Sequence, residues 1–193
     1  MNDIMKKRIV WASLVALLVS MPACVTPALA AGTVLAGISN TATALNSAVS
    51  GGQGNSASGI SSSVSGGYKN TASGKYAAVT GGSSNTASAN YASVSGGQNN
   101  TAKGESSSIS GGAGNQATEM YASVSGGSAN KAAGTYASVG GGVLNQATGL
   151  NSSVSGGKQN TASGDNSVVS GGWNNKAIYC THKCGQYLKT SIL

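Results

Sequence analysis

The residues best suited to metal or redox chemistry lie together near the carboxyl end of the chain. Cys180, His182 and Cys184 fall within five residues of one another, and thiolates and imidazoles are ligands that Zn²⁺ prefers. Three ligands are an incomplete set, and their spacing is not that of a common zinc site. A disulfide between Cys180 and Cys184 and an incidental tail are the other two interpretations. We predict no bound metal ion and leave the pairing of these cysteines open.

Catalytic groups are sparse in the rest of the sequence. His182 is the only histidine, and Glu105, Glu119 and Asp165 occupy different coils of the repeat described below, so no carboxylate pair is evident. Serine is abundant, but no neighbouring base is available to activate it. The glycine pairs do not form a phosphate-binding loop. We predict that the chain is not an enzyme and has neither a cofactor nor a small-molecule substrate.

Basic residues are too scattered for a nucleic-acid groove. Beyond residue 30 the chain has no arginine, and its eight lysines are opposed by only three acids. A nucleic-acid site would need clustered positive charge. The lysines instead occur singly, at positions 69, 75, 103, 131, 158, 176, 183 and 189.

Four tyrosines are the candidate ligand-binding residues. They are spaced by multiples of fifteen, at Tyr76, Tyr91, Tyr121 and Tyr136. One interpretation is a ladder in which rings stack between neighbouring coils. The other is a shallow aromatic strip for a fibrous partner, because tyrosine is favoured at protein interfaces.

These residues belong to a fifteen-residue repeat that dominates the sequence. From Gly51 the chain aligns without a gap in lines such as GGYKNTASGKYAAVT and GGSSNTASANYASVS. A looser copy precedes them at 36–50, and a broken one begins at 171. With only 8% charged residues, no Phe and 30 Gly, the composition alone would suggest disorder. The strict period instead indicates a stack of equivalent units.

Two columns of the repeat define a predicted interior, with Gly51 taken as position 1. Position 14 is always Val or Ile and is the predicted structural core, comprising Val64, Val79, Val94, Ile109, Val124, Val139, Val154 and Val169. Position 5 is always Asn and is the predicted structural ladder, comprising Asn55, Asn70, Asn85, Asn100, Asn115, Asn130, Asn145 and Asn160. Position 7 is always Ala. We expect each Asn amide to bond its neighbour or the turn backbone.

The pattern within a unit predicts two short strands and two turns. Positions 11 to 15 alternate between small inward and outward residues, and positions 5 to 8 form the second strand. The glycine pair permits positive φ and turns the chain. The sequence therefore predicts an all-β fold, a parallel β-roll or solenoid of fifteen-residue coils.

The chain divides into a leader, the repeats and a tail. Lys6, Lys7 and Arg8 precede an apolar run from Ile9 to Val19, and Ala28-Leu29-Ala30 offers a cleavage site. We predict a signal peptide at 1–30, a lead-in at 31–35, the repeat region at 36–177 and an atypical tail at 178–193. An uncleaved membrane anchor or lipidation at Cys24 are the alternatives, and the prediction is an exported protein.

Each coil offers one Val or Ile and one invariant Ala for burial. That is little apolar surface to offset the entropy of ordering fifteen residues. We therefore expect identical threads to pack side by side and complete the core.

The repeat S-V-S-G-G-x-x-N-x-A-x-G over 36–177 resembles the head repeats of trimeric autotransporter adhesins, the YadA-like heads with Hep/Hag repeats. The resemblance implies left-handed β-rolls, assembly as a homotrimer, and a place at the bacterial cell surface and outer membrane, or secretion. The family's commonest repeat has fourteen residues, and no neck, stalk or membrane anchor of the family is recognisable here.

Adhesion to extracellular matrix or host-cell surface proteins is the function expected from export, repetition and this resemblance. Ice binding is the alternative, because a fifteen-residue solenoid can present rows of threonine. Position 6 carries Thr71, Thr86 and Thr101, but Gln116 and Lys131 interrupt the row. A purely structural secreted solenoid is the third interpretation.

Overall fold

The computed structural model describes residues 32–178, which contain twenty strands of two residues each and no helix. The strands are β1 Thr33–Val34, β2 Thr41–Ala42, β3 Ala48–Val49, β4 Ser56–Ala57, β5 Ser63–Val64, β6 Thr71–Ala72, β7 Ala78–Val79, β8 Thr86–Ala87, β9 Ser93–Val94, β10 Thr101–Ala102, β11 Ser108–Ile109, β12 Gln116–Ala117, β13 Ser123–Val124, β14 Lys131–Ala132, β15 Ser138–Val139, β16 Gln146–Ala147, β17 Ser153–Val154, β18 Thr161–Ala162, β19 Val168–Val169 and β20 Lys176–Ala177.

The strands form two parallel sheets that run the length of the described region. Odd-numbered strands make one ten-stranded sheet and even-numbered strands the other. Every strand pairs with the one fifteen residues further on, as Ile109 does with Val124. The predicted all-β solenoid of fifteen-residue coils is therefore confirmed, with about ten coils.

The strands are shorter than the sequence pattern predicts. Strands expected over positions 5 to 8 and 11 to 15 cover only positions 6 to 7 and 13 to 14. Position 11 cannot extend the strand at positions 13 to 14, because its residues have positive φ, as in Tyr91 (φ 58°). Position 4 also adopts this left-handed conformation, as in Asn99 (φ 55°). The coil thus turns sharply at two places outside the strands.

The solenoid begins before the first recognisable repeat. Thr33 and Val34, in the predicted lead-in, pair with Ala48 and Val49 of the following coil. They occupy positions 13 and 14 of a partial coil, although no glycine pair or Asn precedes them in the described residues. Strand pairing, rather than sequence similarity, places these residues in the fold.

The core closes within a single thread. The eight predicted core residues at position 14 are at most 1% exposed, except Val169 at 7%. The position 7 alanines from Ala57 to Ala162 are fully buried beside them. Neighbouring threads were expected to complete this core, but the small side chains already fill it. An assembly of threads must therefore use the outward columns.

The predicted Asn ladder lies inside the same core and connects consecutive coils. Asn100 Nδ2 donates to the carbonyl oxygens of Gly96 in its own coil and Gly112 in the next, both at 2.9 Å. Asn100 Oδ1 accepts from the backbone N–H of Asn115 at 2.9 Å. The same pattern recurs from Asn55 to Asn160. Each amide therefore bonds backbone groups of two coils that lie outside the two-residue strands.

The two glycines of a pair have different roles. Gly97 has φ of 86°, and an added Cβ would lie 2.1 Å from the carbonyl oxygen of Gly112. A Cβ added at Gly96 would meet nothing within 4 Å. The thread itself therefore requires only the second glycine of this pair.

Replacing Asn100 with Ala should destabilise the thread by about 3 kcal/mol, because a buried group left unsatisfied costs about 1–3 kcal/mol. The backbone N–H of Asn115 and the carbonyl of Gly96 lose these partners. Denaturant unfolding followed by circular dichroism would measure the change. The control is Gln98→Ala, at an exposed position where the next coil has Ala113. Equal stability of the two variants would contradict the role of the ladder.

Replacing Ser107 with Ala should stabilise the thread by about 1 kcal/mol. Its buried Oγ has no hydrogen-bond partner among residues 32–178, and Ala92 and Ala122 occupy the same position in the flanking coils. In contrast, Ser62 Oγ accepts from the N–H of Gly59 at 3.1 Å. We therefore expect Ser62→Ala to destabilise by about 1 kcal/mol. Thermal unfolding of both variants would test this difference, and the same sign of change in both would contradict it.

Candidate ligand-binding surface

The four candidate tyrosines lie along one exposed edge of the solenoid, in the turn that precedes the odd-numbered strands. Their exposed fractions range from 44% to 54%. The rings of Tyr76 and Tyr91 stack with centroids 5.1 Å apart, and those of Tyr121 and Tyr136 with centroids 4.8 Å apart. The structure therefore brings them together as two pairs, separated by the coil that carries Ser106.

Tyrosine is an unfavourable choice for this position of the backbone. All four have φ between 57° and 59°, a left-handed conformation that costs a residue with a side chain about 1–2 kcal/mol. Asparagine tolerates it better, and Asn46, Asn151 and Asn166 occupy the same position in other coils. Stacking within each pair recovers part of this cost, about 0.5–1.5 kcal/mol. Such a strained, exposed position is a reason to look for function there.

Lysine side chains lie against aromatic rings at two places. The Nζ of Lys75 lies 5.1 Å from the ring centroid of Tyr76, within the tyrosine edge. In a different turn, the Nζ of Lys69 lies 4.9 Å from the ring centroid of Tyr68. Hydrogen bonding to Tyr68, and its charge interaction, raise the pKa of the Lys69 ammonium above its ordinary value. Ammonium groups thus already contact tyrosine on this surface.

Sequence reasoning missed Tyr68 and Trp173 as surface aromatics. Both lie at position 3, where Trp173 is 70% exposed and its Nε1 donates to Gln159 Oε1 at 2.8 Å. This column is otherwise mixed, so the repeat pattern gave no signal for either residue. Only the outward orientation of the column identifies them.

The three acids of the described region are exposed, and only one of them makes a side-chain hydrogen bond within it. Asp165 Oδ1 accepts from the backbone N–H of Leu150 at 3.0 Å. The side chains of Glu105 and Glu119 make no hydrogen bond or ion pair with residues 32–178. Both glutamates lie in the turns between Tyr91 and Tyr121. Residues 32–178 contain no cluster of His, Cys, Asp or Glu that could hold a metal ion.

The threonine row considered for ice binding lies on the outward side of the even-numbered strands. Thr71, Thr86 and Thr101 are half-buried there and pair in register. Gln116 and Lys131 continue the same row with exposed side chains. The flat hydroxyl surface is therefore interrupted, and no geometric observation favours ice binding.

Several predictions concern residues outside the described range 32–178. They are the signal peptide at 1–30 and the cysteines and histidine of the tail, Cys180, His182 and Cys184. Within the described range, no helix is long and apolar enough to cross a membrane.

Comparison with known proteins gives no assignment. No protein-family model matches the chain, and no curated protein matches it. The case for function therefore depends on the surface itself.

Proposed function

We propose that this chain is an exported, non-enzymatic adhesin that assembles as a homotrimer and binds extracellular matrix or host-cell surface proteins. The observation that carries this proposal is the repetition of the surface. Each outward column is presented again at every coil, in strict register along two ten-stranded sheets. Many weak contacts to a repetitive partner then add to a strong attachment.

The resemblance to YadA-like heads supports the same proposal. The residues that carry it are the position 14 Val or Ile, the Asn, the Ala and the glycine pair. The first three build the interior of each coil, and the second glycine lies against the backbone of the next coil. They specify how the thread folds and leave the outward residues free to vary. In the proposed function the outward columns provide the contacts, and the predicted leader directs the thread to the cell surface or the medium.

One outward face is suited to packing against other threads. From residue 36 onward, positions 13 and 15 carry only Ala, Ser, Thr, Gly and the single Val168. No charged residue occurs in either column, whereas the six lysines of the described region all lie in other columns. Small, uncharged side chains allow close approach without the cost of desolvating charge. We place the contact between threads on this face.

Introducing a lysine on this face should dissociate the trimer. Ser110→Lys adds a charge at exposed position 15, where three threads would each have to bury it. The control is Thr101→Lys in the same coil, at position 6, where Lys131 and Lys176 occur naturally. We expect sedimentation equilibrium to show monomers for Ser110→Lys and trimers for Thr101→Lys. A native chain that is monomeric at all concentrations, or equal dissociation of both variants, would contradict the proposal.

Shortening the thread by whole coils should weaken adhesion steeply. Deleting 141–170 removes two repeats, keeps the register and leaves all four tyrosines in place. If contacts multiply along the thread, solid-phase binding to collagen, fibronectin or laminin should fall at least about tenfold. The single change Tyr91→Ala should have a much smaller effect. Confirmed trimers that bind no matrix protein and no cell surface would overturn the adhesin proposal and favour a structural coat.

A further inference from the structure

The tyrosine edge contains a gap whose two walls are aromatic faces. Tyr91 is the second tyrosine, in chain order, of one stacked pair, and Tyr121 is the first tyrosine of the next pair. Between them, the coil 96–110 has Ser106 at the tyrosine position. Because the rings within each pair stack along the solenoid axis, the remaining faces of Tyr91 and Tyr121 are directed towards this coil.

The width of the gap follows from the spacing of the coils. Neighbouring parallel strands lie about 4.8 Å apart, and the stacked rings repeat that spacing at 5.1 and 4.8 Å. Rings two coils apart are therefore separated by about 9–10 Å. A flat group midway between them would stack on both rings at the spacing seen within the pairs, so the width of the gap alone does not select the ligand. A rounded group at the centre would lie about 5 Å from both centroids, within the distance of about 6 Å for cation–π attraction.

The charge around the gap favours a cation. Glu105 precedes Ser106 at the floor, and Glu119 lies two residues before Tyr121. These are two of only three acids in the described region, and neither side chain has a hydrogen-bond or ion-pair partner among residues 32–178. Lys103 lies two residues before Glu105 in the same coil, so these three side chains together bring a net charge of −1 to the turns around the gap.

The chain itself contains a smaller version of the same interaction. In the coil 66–80, position 10 carries Lys75, whose Nζ lies 5.1 Å from the ring centroid of Tyr76. In the coil 96–110 that position carries Glu105 instead, and no ring follows it. No lysine of residues 32–178 lies over the ring of Tyr91 or Tyr121, which leaves these faces open to a cation from outside the thread.

We propose that the gap between Tyr91 and Tyr121, with Ser106 as its floor, binds a quaternary ammonium group of the choline type. A trimethylammonium group is rounded, permanently charged and weakly hydrated, so it loses little hydration between two rings. A primary ammonium is compact and strongly hydrated, which makes it a poorer occupant. This site is distinct from the proposed adhesion and does not depend on it.

Titration of the full exported chain with choline chloride, at constant ionic strength, tests the proposal. We expect millimolar affinity, with shifts of the ring proton signals of Tyr91 and Tyr121 in NMR spectra. The matched ligand is 3,3-dimethyl-1-butanol, which has the same shape without the charge, and it should bind at least about tenfold more weakly. Equal binding of the two compounds would overturn the proposal.

Variants separate the gap from the rest of the tyrosine edge. Tyr91→Ser removes a wall of the gap and should weaken choline binding about tenfold. Tyr136→Ser removes a ring with the same exposed fraction, 54%, that does not face the gap, and should leave binding unchanged. Serine occurs naturally at this position as Ser61 and Ser106, so both variants should keep the fold. Equal losses in the two variants would overturn the proposal.

Filling the gap gives the complementary test. Ser106→Tyr adds a fifth ring at a position where four tyrosines already adopt the required φ, so the thread should fold and lose choline binding. Glu105→Gln should weaken binding while the walls stay intact. Unchanged binding by Ser106→Tyr would overturn the proposal.

A flotation experiment with lipid vesicles identifies the source of the ligand. If the protein floats with phosphatidylcholine vesicles but not with phosphatidylglycerol vesicles, and Ser106→Tyr abolishes this flotation, the ligand is a lipid headgroup. Binding of choline without flotation supports the same gap and assigns a small soluble ligand. Neither result depends on matrix adhesion, so failure of one proposal is distinguishable from failure of the other.

Discussion

The buried asparagine at position 5 connects every coil to the next, and the rest of the thread depends on that connection. The strands are only two residues long, and single backbone bonds such as that from the N–H of Gln98 to the carbonyl of Gly112 join the coils outside them. The amide of Asn100 bonds the carbonyl of Gly96 and the N–H of Asn115, and it shares the carbonyl of Gly112 with the N–H of Gln98. A coil one residue longer or shorter would move the amide out of reach. The fixed period of fifteen therefore follows from hydrogen bonding as much as from packing.

The same constraint separates fold from function within each coil. Positions 5, 7, 12 and 14 are buried and restricted to small or β-branched residues. Because these residues close the core within one thread, the outward columns do not have to contribute to it. They can differ from coil to coil without disturbing the stack, as Thr101, Gln116 and Lys131 do at position 6. A repetitive scaffold with a variable surface is what the proposed adhesion requires.

In the turn before the odd-numbered strands, the residue at position 11 changes from coil to coil in a way that backbone conformation and ring stacking explain. Its left-handed backbone favours Asn, yet four coils carry Tyr there. Stacking joins these tyrosines in pairs because coil spacing matches the thickness of an aromatic ring. The coil with Ser106 interrupts the row, so Tyr91 and Tyr121 lie two coils apart, with Glu105 and Glu119 in the turns between them. The proposed cation site thus arises because Ser106 replaces a tyrosine in the row.

The sequence by itself determined the solenoid, its period and its interior. The residue types of Asn100, Ala102 and Ile109 return every fifteen residues, and a stack of equivalent coils is the arrangement that requires such a repeat. It also predicted that the tyrosines would be neighbours. It did not predict the strand bounds, since the positive φ of Tyr91 is a consequence of how the turn closes. Nor did it predict that Thr33 and Val34 join the first sheet, because pairing depends on backbone position rather than on side-chain pattern. Closure of the core in one thread and the spacing of the rings within each tyrosine pair were decided by tertiary structure, which alone sets distances between residues of different coils.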